Sequence, residues 1–253
     1  MEKIKKTKDI FSVKDKVVII TGGSGFLGGQ YVKSFKEKGA FVVNWDVDTG
    51  VDISNEDSVD KAVKAIIKKY GRIDALINNA AFNPQVGENN TTENNWVPYE
   101  SFPVSFWRRE LDVNLTGQFI VTKAVVPYMM KRRYGSVIFI SSDFAFMGPH
   151  NEIYGENRFK DITYIASKAG VLGLMRPWAA YLGKYNVRVN AFVPGGMFRN
   201  QSDEFVKANG ELNMLGRMSR EGEYNGPLIF LASDASIYMT GSCLVADAGR
   251  TAW

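Results

Sequence analysis

Apolar residues along this chain fall into two kinds of stretch. Short runs rich in Val, Ile and Phe recur at 17–21, 40–45, 74–77, 136–141, 187–192 and 243–246. Runs of that length, apolar on both sides of the alternation, predict strands buried on both faces. Between them, apolar residues recur with a helical period over 26–38, 55–70, 105–133 with a break near Asn114, 164–184 and 221–233. Alternation of strand and helix predicts an α/β domain built on a doubly wound parallel sheet with helices on both faces. Such sheets bind ligands beyond the carboxyl ends of their strands. The loops after Ile20, Trp45, Ile77, Ile140 and Phe192 should therefore converge on one edge. No repeat or low-complexity linker divides the chain, so a single domain over 16–253 is expected, behind an N-terminal arm of residues 1–15.

The first of these loops carries chemistry. The strand ending at Ile20 runs into Thr21-Gly22-Gly23-Ser24-Gly25-Phe26-Leu27-Gly28-Gly29 and then a helical stretch. Strand, glycine-rich turn and helix is the context that a dinucleotide-binding motif requires. Glycines admit a pyrophosphate close to the backbone, and the helix N-terminus offers free N–H groups and a positive dipole end. The second strand ends at Asp46, where a carboxylate can accept from the adenosine ribose hydroxyls and repel a 2′-phosphate. No Arg or Lys lies between Thr21 and Gly29, or between Asp46 and Lys61. NAD is therefore expected over NADP. The plainer alternatives are a ligand-free turn and, for Asp46, a loop carboxylate or a helix cap. Farther on, Tyr164 and Lys168 stand four apart, on one face of a helix. An ammonium beside a phenol favours the phenolate, which makes Tyr164 a candidate general acid/base. The plainer reading is a surface helix with an amphipathic lysine.

Composition narrows the picture. With 253 residues and 45% apolar content, one domain can bury a full core. The net charge of +4 is concentrated at the start, where residues 1–16 hold six lysines against Glu2, Asp9 and Asp15. A solvated arm accounts for that. Basic and aromatic residues do not interleave, so no nucleic-acid partner is expected. Cys243 is the single cysteine, which excludes an intrachain disulfide and suits a buried thiol in a reducing, cytoplasmic setting. No apolar stretch reaches spanning length and no signal-like segment follows the first lysines, so no membrane partner is expected. The sequons at Asn89, Asn90, Asn114 and Asn200 then carry no meaning, and no metal site is expected.

With the loop, Asp46 and the Tyr-Lys pair in place, the chain from about Lys16 to Trp253 resembles the short-chain dehydrogenase/reductase family in its single-domain form. Thr21-Gly22-x-x-Gly25-x-x-Gly28 resembles the cofactor loop, with Ser24, Phe26 and Leu27 inside it. Asp52-Ile53 resembles the pair flanking the adenine. Asn78-Asn79-Ala80-Ala81 is similar to the family's Asn-Asn-Ala-Gly, which implies cofactor contacts at Asn78 and Ala80. Asn114, Ser142, Tyr164 and Lys168 match the catalytic asparagine, serine, tyrosine and lysine. Pro194-Gly195, with Met197 just beyond, resembles the segment beside the nicotinamide. The resemblance implies a Rossmann-like fold and an NAD(P)-dependent interconversion of a secondary alcohol and a carbonyl. Tyr164 would move the proton of the substrate oxygen and Ser142 would hold that oxygen. Lys168 would lower the phenol's pKa and bind the nicotinamide ribose, and Asn114 would link Lys168 to solvent through a water. Helices 116–133 and 164–184 pair across subunits in many members, which implies a homodimer or homotetramer.

The chain departs from that pattern in places. Phe26 stands where many members have glycine. The stretch between Ser142 and Tyr164 is longer than usual, and its polar part, about His150 to Asp161, holds His150, Arg158 and Lys160. It reads either as a wall selecting a polar substrate, an anionic one included, or as a decorative loop. Arg199 replaces a common threonine and is a candidate for a substrate carboxylate or phosphate. Residues 197–216 are expected to form a lid, and 83–99 a second long loop at the site edge. The tail Arg250-Thr251-Ala252-Trp253 resembles that of sugar- and polyol-acting members. A sugar, sugar acid or polyol is the expected small-molecule substrate. The alternative is a 3-oxoacyl thioester on an acyl carrier protein, met by the basic Lys131-Arg132-Arg133. A reading of another class is a non-catalytic dinucleotide sensor.

Overall fold

Six parallel strands form one sheet in the computed structural model, which describes residues 9–83 and 96–253. Strand β1 (Val17–Thr21) lies between β2 (Phe41–Trp45) and β3 (Ala75–Asn78), with Val18 level with Val42 on one side and Ala75 on the other. Beyond β3 come β4 (Gly135–Ile140), β5 (Val187–Pro194) and β6 (Cys243–Ala246), so the order is β2-β1-β3-β4-β5-β6. The chain moves one way from β1 to β2 and the other way from β1 to β3. That reversal opens a crevice at the carboxyl ends of β1 and β3, where such sheets take their ligands.

Alternation along each strand sends neighbouring side chains to opposite layers. Val17 and Ile19, Val137 and Phe139 pack with α2 (Glu56–Tyr70), α4 (Gln118–Arg132) and α5 (Ile162–Leu182). Val18 and Ile20, Ile138 and Ile140 pack with α1 (Phe26–Glu37) and α7 (Asn225–Ala232). Both faces are covered, which is why the strands read as unbroken apolar runs. The helix ends follow local chemistry. Asn55 caps α2 by accepting from Ser58 N at 3.0 Å, Lys68 and Lys69 sit in its last turn, and Gly71 ends it at φ 70°. The break expected near Asn114 is a π-helical segment, Asp112–Gly117, joining α3 (Val104–Leu111) to α4. Such bulges cluster at functional sites.

Several expectations are corrected. Residues 9–15 of the expected arm are docked, not loose: Val13 is buried, Ile10 O accepts from Ala235 N, and Phe11 meets Phe230. The first eight residues and the loop segment 84–95 lie outside the described residues. Cys243 is half-buried, because β6 is an edge strand. The helix expected at 221 starts at Asn225, after a run of turns. A helix α6 (Asp203–Glu211) lies within 197–216, and it packs Phe205 with Trp96, Tyr154 and Met218. Among the described residues no helix is long and apolar enough to cross a membrane.

Candidate active site

The glycine loop is shaped by close approach. Gly22 has φ 65°, and a Cβ there would stand 2.7 Å from Ala80 Cα. A Cβ on Gly28 would stand 2.0 Å from Gly22 O. The loop can therefore fold back on α1 and on the end of β3 only as glycine. Thr21 Oγ1 accepts from Asn79 N at 2.9 Å and from Ala80 N at 3.0 Å. Asn79 Nδ2 donates to Thr21 O and Gly22 O. The two crossing loops are thus tied together before any ligand arrives. Asp46 is a cap that also lines the cleft. Its Oδ1 accepts from Asp48 N, while Oδ2 accepts from Ser24 N at 3.0 Å. These bonds hold the carboxylate at the tip of β2.

A cleft of about 510 Å³ crosses the carboxyl ends of the strands, a size suited to a small-molecule ligand. Gly22, Gly25, Phe26, Leu27 and Gly28 form one end with Asp46, Asp52 and Ile53. Ala80 lies midway. Ser142, Tyr164, Lys168, Pro194, Gly195 and Met197 form the other end. The close-fitting glycine turn, the α1 N-terminus and the fixed carboxylate suit a dinucleotide laid across the sheet. Among the described residues no cluster of His, Cys, Asp or Glu could hold a metal.

At the second end the side chains are interlocked. Ser142 ends the run out of β4, and its hydroxyl donates to Asp143 Oδ1 at 2.7 Å. Burial pushes the Tyr164 phenol well above the ordinary tyrosine range, and the neighbouring Ser142 draws it partly back. Lys168 is buried, donates to Ile140 O at 2.8 Å, and has its Nζ 5.5 Å from the Tyr164 ring centre. Burial pushes its pKa down to about 7. Helix α5 is started by Asp161, which accepts from Thr163 N and Tyr164 N, so one cap fixes the position of the phenol.

Other expected residues are placed differently. Asn114 lies in the π segment off the cleft wall. Its Oδ1 accepts from Phe82 N at 2.7 Å, and its Nδ2 donates to Phe82 O and Ser167 Oγ. It clamps the strand-β3 loop to α5. Asn78 points into the helical layer, donating to Thr122 Oγ1, and the cleft beside it is lined by Asn79 and Ala80 instead. Thr21 is buried behind the wall, and Ser24 is exposed on the loop, where its N–H holds Asp46. Arg199 does line the cleft, but it lies 4.9 Å from the ring centre of Phe26, on the glycine-loop side. His150 is exposed and pairs with Glu152, and Arg158 stacks on Trp96. Neither lines the cleft.

The wall also contains residues that local sequence does not advertise. Asp143, Phe144, Tyr154, Phe205, Asn209, Met218 and Arg250 come from five separate segments. Lys160, from the long stretch before Tyr164, is on the wall as well. Its Nζ donates to Asn83 Oδ1 at 2.6 Å and lies 4.7 Å from the Tyr164 ring centre. Burial pushes its pKa down to about 8.

Comparison with known proteins places the chain among dehydrogenases and reductases. A family model described as enoyl-(acyl carrier protein) reductase matches residues 27–251. The chain is 30% identical to a 3-oxoacyl-[acyl-carrier-protein] reductase of Thermotoga maritima, covering 94% of this chain and 98% of that one. It is also 30% identical to a "probable galactose dehydrogenase" of Rhizobium meliloti, over 94% of this chain and 95% of the relative. The structure of a short-chain dehydrogenase from Leptospira borgpetersenii with bound NAD+ superposes with a TM-score of 0.85. It covers 99% of this chain and 98% of the other at 26% identity.

Proposed function

The chain belongs to the short-chain dehydrogenase/reductase family of NAD(P)-dependent oxidoreductases, and we propose that it uses NAD to interconvert a secondary alcohol and a carbonyl on a sugar, sugar acid or polyol. The observation that carries this reading is the wall on which Ser142, Tyr164 and Lys168 meet, facing the same cleft as the glycine loop and Asp46. A bound dinucleotide supplies or accepts the hydride. The chain's own work is to place the substrate oxygen and move its proton. Ser142 hydrogen-bonds that oxygen. Tyr164 takes the proton from the alcohol or gives it to the carbonyl. Lys168, when protonated, stabilises the phenolate and hydrogen-bonds the ribose beside the nicotinamide. Asn114 positions the wall by holding Phe82 against Ser167. Residues 197–216, with Phe205 and Asn209 on the wall, form the substrate cover.

NAD is favoured because Asp46 and Asp52 line the adenosine end, and neither the turn from Thr21 to Gly29 nor the stretch between Asp46 and Lys61 offers an Arg or Lys to meet a 2′-phosphate. A polyhydroxylated substrate is supported by the polar wall and by the relative named as a galactose dehydrogenase. The Thermotoga reductase keeps a 3-oxoacyl thioester as a second reading. Its basic docking patch is smaller than the sequence suggests, since Arg132 is bound to Asp74 and Arg133 to Lys184 O. A reducing, cytoplasmic setting and a homo-oligomer built on the surfaces of α4 and α5 complete the proposal. Its test is Tyr164→Phe, assayed with NAD and NADP against sugars, sugar acids, polyols and acyl thioesters. The variant should bind NAD as the parent does and lose turnover by about 10²–10⁴-fold. Retention of most activity sinks the assignment. Preference of the parent for NADP overturns the reading of Asp46.

A further inference from the structure

One buried cation on the cleft wall has no part in the reaction just described. Arg250 sits in a single 3₁₀ turn beyond β6 and is only 3% exposed, yet it lines the cleft with Ser142, Asp143 and Tyr164. Its Nε and Nη2 are buried without a hydrogen-bond partner among the described residues. Burying an arginine with two donor nitrogens unmet is costly unless an acceptor arrives. Asp143 does not serve. Its Oδ2 is 3.6 Å from Arg250 Nε, beyond hydrogen-bond reach, and its Oδ1 is engaged by Ser142 Oγ and Phe144 N. Asp247 does not serve either, because its own turn engages it through Gly249 N, Thr251 N and Thr251 Oγ1. Charge on this half of the wall is lopsided as well. Lys160, Lys168 and Arg250 face a single carboxylate, that of Asp143.

We propose that Arg250 anchors a carboxylate on the substrate, so that the molecule oxidised or reduced between Ser142 and Tyr164 is a hydroxy acid or its oxo acid. Asp143 pairs with Nε only at ion-pair distance, 3.6 Å, so Nε and Nη2 keep their hydrogen bonds to give, and together they match the two oxygens of a carboxylate. The ring of Phe144 lies beside the group, its centre 5.8 Å from the guanidinium carbon. Lys160, which also feels the charge of Asp143, adds to the positive potential without contacting the reacting oxygen. The inference rests on the oxidoreductase reading for what the anchored molecule undergoes, but not for the anchor itself.

Calorimetry on the NAD-saturated protein tests it with D-gluconate, D-galactonate and 3-hydroxybutyrate, each beside its primary amide, which keeps the shape and removes the charge. At least one acid should bind about 30-fold or more tighter than its amide. Arg250→Met should erase that preference while changing amide affinity less than about threefold, and Arg250→Lys should restore part of it. NAD affinity should stay at the parent value and the melting temperature should not fall. Equal binding of acid and amide, failure of every acid to bind, or equal losses for acid and amide in Arg250→Met overturn the proposal. Should Arg250→Met not fold, the acid–amide comparison in the parent decides alone. Charge-dependent binding without NAD or NADP turnover would count against the oxidoreductase reading and leave the anchor standing.

Discussion

Glu110 is hydrogen-bonded to Asp161, the residue that caps α5, and their shared burial sets a pH dependence. Burial, and then the charge of Asp161 and a hydrogen bond with it, push the Glu110 carboxyl up to about 8. The folded protein therefore keeps this proton up to about pH 8, while the unfolded chain sheds it near the ordinary glutamate value. In that window the folded state binds more protons, so stability falls as pH rises. Glu110→Gln removes the titration and keeps an N–H that can donate to Asp161. The variant should melt level with the parent at pH 5 and about 3 °C or more above it at pH 9, read by calorimetry across that range. An unchanged difference at all pH values would show that Glu110 is ionised in the fold. Burial acts likewise on the candidate pair, raising Tyr164 and lowering Lys168 to about 7. The four-residue spacing makes that pair visible in the sequence. The direction of each shift comes from the wall around it.

At the scale of elements, the turn from β1 into α1 separates glycines that matter from one that does not. Gly28 and Gly29 are adjacent in sequence, but a Cβ at Gly28 would meet Gly22 O at 2.0 Å, whereas one at Gly29 finds nothing nearer than Gly23 O at 3.9 Å. Gly28→Ala should push the loop outward and weaken NAD binding by about 10-fold or more, since a ~1.4 kcal/mol loss suffices. Gly29→Ala should leave NAD affinity unchanged and, as a helical Gly→Ala change, stabilise by up to about 1 kcal/mol. Fluorescence titration with NAD and a denaturant melt read both outcomes. The strands and this loop are legible in the sequence because each is specified locally, by apolar runs buried on both faces or by glycines at fixed spacing. Arg250, Asp143 and the clamp role of Asn114 are not. Each depends on a segment distant in sequence arriving at the cleft: Arg250 beside Asp143, and Asn114 beside Phe82. His150 and Arg158 show the converse, since residues with the right chemistry in the right loop are engaged off the cleft, His150 by exposed Glu152 and Arg158 by Trp96.

On the scale of the whole molecule, one surface is more apolar than a lone domain needs. Phe119 on α4 stacks with Trp178 on α5, Trp178 with Tyr181, and Tyr181 with Tyr185, at centroid distances of 6.0–6.3 Å. Phe119 and Tyr181 are 40% and 48% exposed, although the inner faces of both helices are fully committed to the sheet. A contiguous aromatic ladder on two adjacent helices is the kind of patch that a second copy covers. In a symmetric dimer each copy would bury the other's ladder, and α5 would be braced along the length that carries Tyr164 and Lys168. The parent should therefore run as a dimer or tetramer in light scattering. Tyr181→Glu combined with Phe119→Glu should give a monomer, because two charges on each side of a two-fold contact meet their own copies. Turnover should fall with assembly if bracing of α5 matters to the site, while NAD binding at the β1–α1 turn, on the far side of the sheet from this ladder, should persist. A parent that is monomeric at micromolar concentration would remove the assembly claim and leave the ladder as surface.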